Sequence, residues 1–275
     1  MKILLIGCFH GKFPSKLKAL ANKCDVVIST GDLGGEESFR KLMFKNMSRS
    51  FKGNTAKKQV KSLIQKTYKS GLKILGELEK IKTPVYIIDG NWDFTDTKYE
   101  KEEYGLNLAS YPKIIKKHHK INFWNHSIRK FKGLKIYSHG GIMYASIYQD
   151  KNSGMDPQKR KVYATIHKQQ TKELFKRKSK DIDIVLAHCP PYGYFDTVKS
   201  KGNPMNGKHV GFKGYTDYIK KFQPKIFICG HMHEHQGIKK LGKTTIISHG
   251  PAQDGKAAIL ELSDDYKKFR IEFVK

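Results

Sequence analysis

Cys8 with His10, Asp32, Asn91, His188, and His231 with His233 all stand just beyond apolar runs of strand length. They fall in five short blocks: Gly7-Cys8-Phe9-His10-Gly11, Gly31-Asp32-Leu33-Gly34-Gly35, Gly90-Asn91-Trp92-Asp93, Ala187-His188-Cys189-Pro190-Pro191 and Gly230-His231-Met232-His233-Glu234. Thiolate, carboxylate, amide oxygen and imidazole are donors that hold divalent ions. Taken singly, the blocks carry little. His188 before two prolines reads as a loop histidine, Asp32 as a turn or helix-cap aspartate, and Asn91 as a turn residue. Together they read as one dinuclear metal site.

The elements that must position these residues alternate between strand and helix. Lys2 to Ile6, Val26 to Ile28, Val85 to Ile88, Ile182 to Ala187 and Lys225 to Cys229 are short continuous apolar runs, the pattern of buried strands. Each ends at one of the five blocks. Helical spacing covers Pro14 to Asn22 and Tyr215 to Phe222, and a helix to about Lys178 starts at Asp156-Pro157, with proline at its first position. From Glu36 to Lys82 two basic helices are expected, with a soft break near Gly53-Asn54. Two or three short strands between Ile114 and Ser138, including Ile121 to Trp124 and Leu134 to Tyr137, mark a change of sheet. Thr244 to Ile247, Ala257 to Leu262 and Phe269 to Val274 suggest a mostly antiparallel finish. Ligand sites in open α/β sheets form beyond the carboxyl ends of strands, where all the donors would lie.

The order and chemistry of the blocks resemble the calcineurin-like metallophosphoesterase family, whose motifs run Asp-x-His, Gly-Asp-x-x, Gly-Asn-His-Asp/Glu, His and Gly-His-x-His. The resemblance extends from Met1 to about Pro251. His209-Val210-Gly211, followed by a helix, a strand and Gly230-His231-Met232-His233, looks like the small archaeal and bacterial phosphodiesterase branch. It implies an α/β fold, the four-layer α/β/β/α sandwich of two mixed sheets. It also implies one metal held by Cys8, His10, Asp32 and His233 and a second held by Asp32, Asn91, His188 and His231. Two ions about 3.5 to 4 Å apart can hold a bridging hydroxide as nucleophile and clamp the phosphoryl oxygens. A carboxylate can bridge two ions and an imidazole cannot, so the bridge falls to Asp32.

Two positions depart from the family pattern. Cys8 stands where the first aspartate belongs, and a thiolate, being softer, favours zinc or iron(II) over magnesium or manganese. The alternative is that Cys8 is merely a small buried residue. Trp92 replaces a histidine that assists phosphoryl transfer, and an indole cannot exchange a proton at neutral pH. It could instead stack on a base or an aromatic leaving group. Candidate catalytic residues are therefore Asn91, Asp93, His139 and His209, with His249 a further substitute for the missing histidine.

The chain has 275 residues, 38% of them hydrophobic, and is expected to form one domain over residues 1–275 with a basic helical insertion at about 36–82. Its four cysteines, Cys8, Cys24, Cys189 and Cys229, form no C-x-x-C pair, which fits a reducing, cytoplasmic setting better than a disulfide framework. The apolar run before Cys8 is too short for a signal segment, and no run approaches a membrane span. A formal charge of +28, carried mainly by lysine, attracts anions and speaks to partners, not to fold.

These features point to a metal-dependent phosphoester hydrolase, with a phosphodiesterase favoured over a monoesterase. Its cofactors would be two divalent ions, zinc, iron or manganese, and its substrate a phosphoester, with nucleotide or nucleic acid suiting the lysine excess. A nuclease or nucleotide phosphatase is a variant of that reading. The competing class is a non-catalytic scaffold of the same fold, since fold alone does not decide function. A scaffold has no reason to keep all the donors.

Overall fold

A computed structural model describes residues 1–45, 54–141, 143, 157–177, 181–200, 203 and 205–275. Among the described residues, twelve strands form two sheets of six. In the first, β1 (Lys2–Ile6), β2 (Val26–Ser29), β3 (Val85–Ile87) and β4 (Ile121–Phe123) run parallel, and β11 (Ala257–Leu262) and β12 (Phe269–Val274) extend the sheet antiparallel beside β1. In the second, β6 (Leu134–His139), β7 (Ile184–Ala187), β8 (Ile226–Cys229) and β10 (Thr244–Ser248) are parallel, with β5 (Ser127–Phe131) and β9 (Gly237–Leu241) antiparallel at the edges.

Both faces of each sheet are covered, which is why the strands read as unbroken apolar runs. Side chains alternate along a strand, so Ile3 and Leu5 of β1 face the second sheet while Leu4 and Ile6 face helices. Between the sheets Ile3, Leu5, Val26, Ile28 and Ile88 meet Ile136, Ile184, Leu186, Ile228 and Ile247. On the outer face of the first sheet lie α1 (Ser15–Ala21), α3 (Asn54–Glu79) and α5 (Tyr111–Ile115). The second sheet is covered by α6 (Pro157–Lys176) and α7 (Lys213–Phe222) through Leu174, Tyr215, Tyr218 and Ile219. This is the four-layer α/β/β/α arrangement.

In α3 the buried positions Val60, Leu63, Ile64, Ile74, Leu75 and Leu78 follow the helical period, and the lysines between them face outward. It is preceded by α2 (Glu37–Lys45). The break near Gly53, and Asp156 and Lys178 at the ends of the sixth helix, lie outside the described residues. The sheet change falls between β4 and β5, as the polar interruptions suggested.

The finish of the chain is mostly antiparallel, as its pattern suggested, with β10 pairing so with β9, and β11 with β1 and β12. β10 also pairs parallel with β8, and β11 leaves for the other sheet. Edge strand β9 carries exposed Lys239 and Lys240, so it has little apolar signal, and such charges protect an edge from pairing with another chain. Helices α4 (Lys98–Tyr104) and α5 also escape the apolar pattern, being seven and five residues long. No helix among the described residues is long and apolar enough to cross a membrane.

Candidate metal centre

The donor-bearing loops leave the carboxyl ends of β1, β2 and β3 in one sheet and β7 and β8 in the other. Hydrogen bonds lock them together. The N–H groups of Cys8 and Phe9 donate to the Gly31 and Asp32 carbonyls at 2.8 Å, and Gly230 N–H donates to the His188 carbonyl at 2.9 Å. Close approach of the second and third loops requires glycine, since a Cβ on Gly31 would lie 2.2 Å from the Gly90 nitrogen. Cys8, His10, Asp32 and His231 all adopt positive φ, between 43° and 68°. Non-glycine residues seldom hold that conformation, and such strain gathers at functional sites.

The structure brings all seven expected donor residues together. Asn91 Oδ1, His188 Nε2 and His231 Nδ1 form a triangle with edges of 2.8, 2.9 and 3.1 Å. Donors about 2.1 Å from one ion and at right angles to each other would stand about 3.0 Å apart, so the triangle has the size of a metal-binding face. A second group forms around His10 and His233, whose Nε2 atoms are 3.1 Å apart, and the Cys8 thiol completes it within 4.8 Å. Asp32 Oδ2 lies 3.5 Å from His10 Nε2 and 3.3 Å from His188 Nε2, between the two groups.

Protonation argues for a cation here. His188 Nδ1 faces the Thr30 carbonyl at 2.8 Å, and a carbonyl can only accept. In neutral His188 the Nε2 atom is therefore bare, yet it faces an amide oxygen and a carboxylate oxygen. Such a cluster of acceptors needs positive charge. Burial works against a charged His188, but the Asp32 carboxylate and the Thr30 carbonyl outweigh it and raise its pKa. Burial also opposes ionised Asp32, and there His188, then His10, prevail and hold the carboxyl well below the usual range. For His231 and His233 burial dominates and lowers the pKa to about 4 and about 3, leaving both neutral as ligands must be. Burial, reinforced by Asp32, pushes the Cys8 thiol well up, so a Cys8 thiolate needs a cation beside it.

The other candidates fare differently. Asp93 is half-buried, and its carboxylate accepts the N–H groups of Asp32 at 2.7 Å, Leu33 at 2.8 Å and Gly90 at 2.8 Å. It positions loops, and its oxygens are already engaged. His139 is 2% exposed and contacts Tyr215, Tyr137 and His126 but none of the seven donor residues, because the alternation of β6 turns it toward α7. His249 is buried, with its ring nitrogens on Thr30 Oγ1 and the Gly250 carbonyl. His209 stays accessible: Nδ1 is 2.7 Å from Asp196 Oδ1 and its side chain is 45% exposed. Trp92 is half-buried, edge-on to His10.

Three residues escaped the sequence reading. Thr30 sets the tautomer of His188, Gln253 approaches His233 Nδ1 at 3.2 Å, and buried Cys189 shares a donor group with His188 and His231. Burial drives the Cys189 thiol up to about 12. Only Cys189, inside the fourth block, left any sequence signal.

A family model described as calcineurin-like phosphoesterase matches residues 1–235. The chain belongs to that family. Calcineurin-like phosphoesterases act on phosphoesters with divalent metals, the general chemistry that this donor set suits. An uncharacterized protein of Methanocaldococcus jannaschii is 21% identical over 98% of both chains. A UPF0046 protein of Caenorhabditis elegans is 28% identical over 87 residues, which are 32% of this chain and 28% of that protein. The human metallophosphoesterase domain-containing protein 1 is 31% identical over 24% of this chain and 19% of its own length. The matches thus span less than a third of those two animal relatives. In fold the chain is similar to a dimetal phosphatase from Danio rerio, with a TM-score of 0.51, 10% identity and coverage of 100% and 96%. It is also similar to the phosphopantetheinyl hydrolase of Mycobacterium tuberculosis, with a TM-score of 0.53, 10% identity and coverage of 92% and 90%.

Proposed function

We propose that this calcineurin-like phosphoesterase is a dinuclear phosphodiesterase in which Cys8, His10, Asp32 and His233 hold one divalent ion and Asp32, Asn91, His188 and His231 the other. The observation that carries the reading is the place of Asp32 Oδ2, 3.5 Å from a nitrogen of one donor group and 3.3 Å from a nitrogen of the other. Bound there, two divalent ions supply Lewis-acid polarisation of the phosphoryl group and activate water at neutral pH.

The chain's own residues prepare that chemistry. Trp92 N–H donates to Asp32 Oδ1 at 2.8 Å, leaving Oδ2 for the shared position. Thr30 fixes the His188 tautomer, and Asp93 ties the Asp32 and Asn91 loops to each other. Such partners of metal ligands fix their orientation. His209, with Nδ1 donating to Asp196, leaves Nε2 free to carry a proton, a role that Trp92 cannot fill.

A diester is favoured because the motif order is that of the small phosphodiesterase branch. Nucleotide or nucleic acid suits the charge of +28. Four free, buried cysteines support a cytoplasmic setting, and we read residues 1–275 as one domain with α2 and α3 as a basic insertion. Assay of the purified protein with manganese, zinc or iron on p-nitrophenyl phosphate and bis-p-nitrophenyl phosphate tests the reading. A kcat/KM at least about tenfold higher for the diester supports it, and a monoester preference overturns it.

A further inference from the structure

Trp92 sits beside the donor groups without being part of them. Its backbone is pinned to Asp32, and its ring centroid lies 6.2 Å from that of His10. Phe39 of α2 stands 5.7 Å away. Both neighbours meet the indole at more than 80°, so among the described residues no ring lies parallel on its face. The other tryptophan, Trp124, is a core residue, 5% exposed and stacked on Tyr86 at 3.8 Å. Trp92 is half-buried at the mouth of the site.

Helix α2 is held close to this mouth. A Cβ on Gly35, just before the helix, would lie 2.5 Å from His10 Cβ, so the chain enters α2 against His10 itself. Arg40 follows Phe39 on the first turns and is exposed. Glu37, the acid that feels Arg40, is engaged by Lys41 at 2.9 Å. An exposed cation thus stands next to Phe39 in sequence, on a helix whose entry packs against His10.

We propose that Trp92, Phe39 and Arg40 form a recognition platform for a nucleotide phosphodiester, the indole taking the base and the guanidinium the phosphate backbone. The platform rests on the phosphoesterase reading above and specifies its substrate class. Aromatic faces accept any base, and one stacked base strengthens binding by about 5- to 160-fold. Arginine pairs with phosphate oxygens in a fixed, forked geometry. The arrangement therefore selects nucleosides as a class and is indifferent to sequence.

Binding and turnover test it separately. Thymidine 5′-monophosphate should quench tryptophan fluorescence in the wild-type protein and not in Trp92→Phe, while ribose 5-phosphate, which lacks a base, should quench neither. Equal quenching in both proteins, or none in the wild type, overturns the platform. In turnover, wild type should prefer thymidine 5′-(p-nitrophenyl phosphate) over methyl p-nitrophenyl phosphate, two esters with the same leaving group. The ratio of their kcat/KM values should fall about tenfold in Trp92→Leu and be largely kept in Trp92→Phe. Arg40→Gln should raise KM for both esters. Cleavage of both esters without preference for thymidine overturns the platform alone. Cleavage of neither, with any of the three metals, overturns the phosphoesterase reading and the platform with it.

Discussion

Asp93 accepts the backbone N–H of Asp32 at 2.7 Å, so one carboxylate holds in place the loop that presents another. The same oxygen takes the N–H of Gly90, the residue before Asn91. Both loops that flank the shared donor position therefore depend on one side chain.

Asp93→Asn keeps the size of the side chain but replaces one acceptor oxygen with a donor, which cannot serve all three N–H groups. Metal affinity, measured by calorimetric titration of chelator-stripped protein, should fall about 10- to 100-fold, the usual cost of losing a ligand's supporting partner. Wild-type affinity in this variant would show that the loops hold their shape unaided.

Cys8 distinguishes ligand from packing. Cys8→Asp should keep two metals bound and shift preference toward manganese, because a carboxylate is a harder donor than a thiolate. Cys8→Ala should weaken one site selectively. Two metals bound with wild-type affinity in Cys8→Ala would reduce Cys8 to a filler of space.

The donor residues were legible in the sequence because each sits near a strand end, and strand ends are marked by apolar runs followed by glycine or, after His188, by proline. That logic placed His10, Asp32, Asn91, His188, His231 and His233 together before any distance was known. It failed for His139, which also ends a strand, because the side of a strand on which a residue emerges depends on pairing and covering helices. Here β6 sends His139 toward Tyr215 and not toward the other donors. Thr30 and Gln253 act through a carbonyl and an amide brought close only by the tertiary fold. Edge strand β9, with two lysines among its five residues, hides its pairing for the opposite reason, that it buries little.

His139 is also a stability probe away from the donor groups. Burial, then repulsion from His126 and Arg177, lowers its pKa to about 3. Protons therefore bind the unfolded chain first as pH falls. The stabilisation from neutral His139 is complete above about pH 6.5 and is lost as pH drops from there toward about 3, at up to about 1.4 kcal/mol per pH unit. His139→Gln should have a shallower decline of denaturation midpoint between pH 6.5 and 4. A decline as steep as that of wild type would assign the acid sensitivity elsewhere.

Exposed Lys58, Lys66, Lys69 and Lys73 lie on the outward side of α3. If they meet a nucleic-acid backbone, replacing all four with glutamine should lower affinity for single-stranded RNA or DNA. The slope of log K against log salt should flatten by about 0.7 for each phosphate that a lysine no longer neutralises. An unchanged slope would leave these lysines as solvated surface.

The proposed role of Asp32 is to join two metal sites that hydrolyse phosphoesters. Its most direct test is the rate of bis-p-nitrophenyl phosphate hydrolysis as divalent metal is titrated into chelator-stripped protein, wild type and Asp32→Ala side by side. The rate should rise to a plateau at two ions per chain in wild type and stay at least about a hundredfold lower in the variant at every metal concentration. An equal rate in the two proteins, or a wild-type rate that does not respond to metal, would contradict the account.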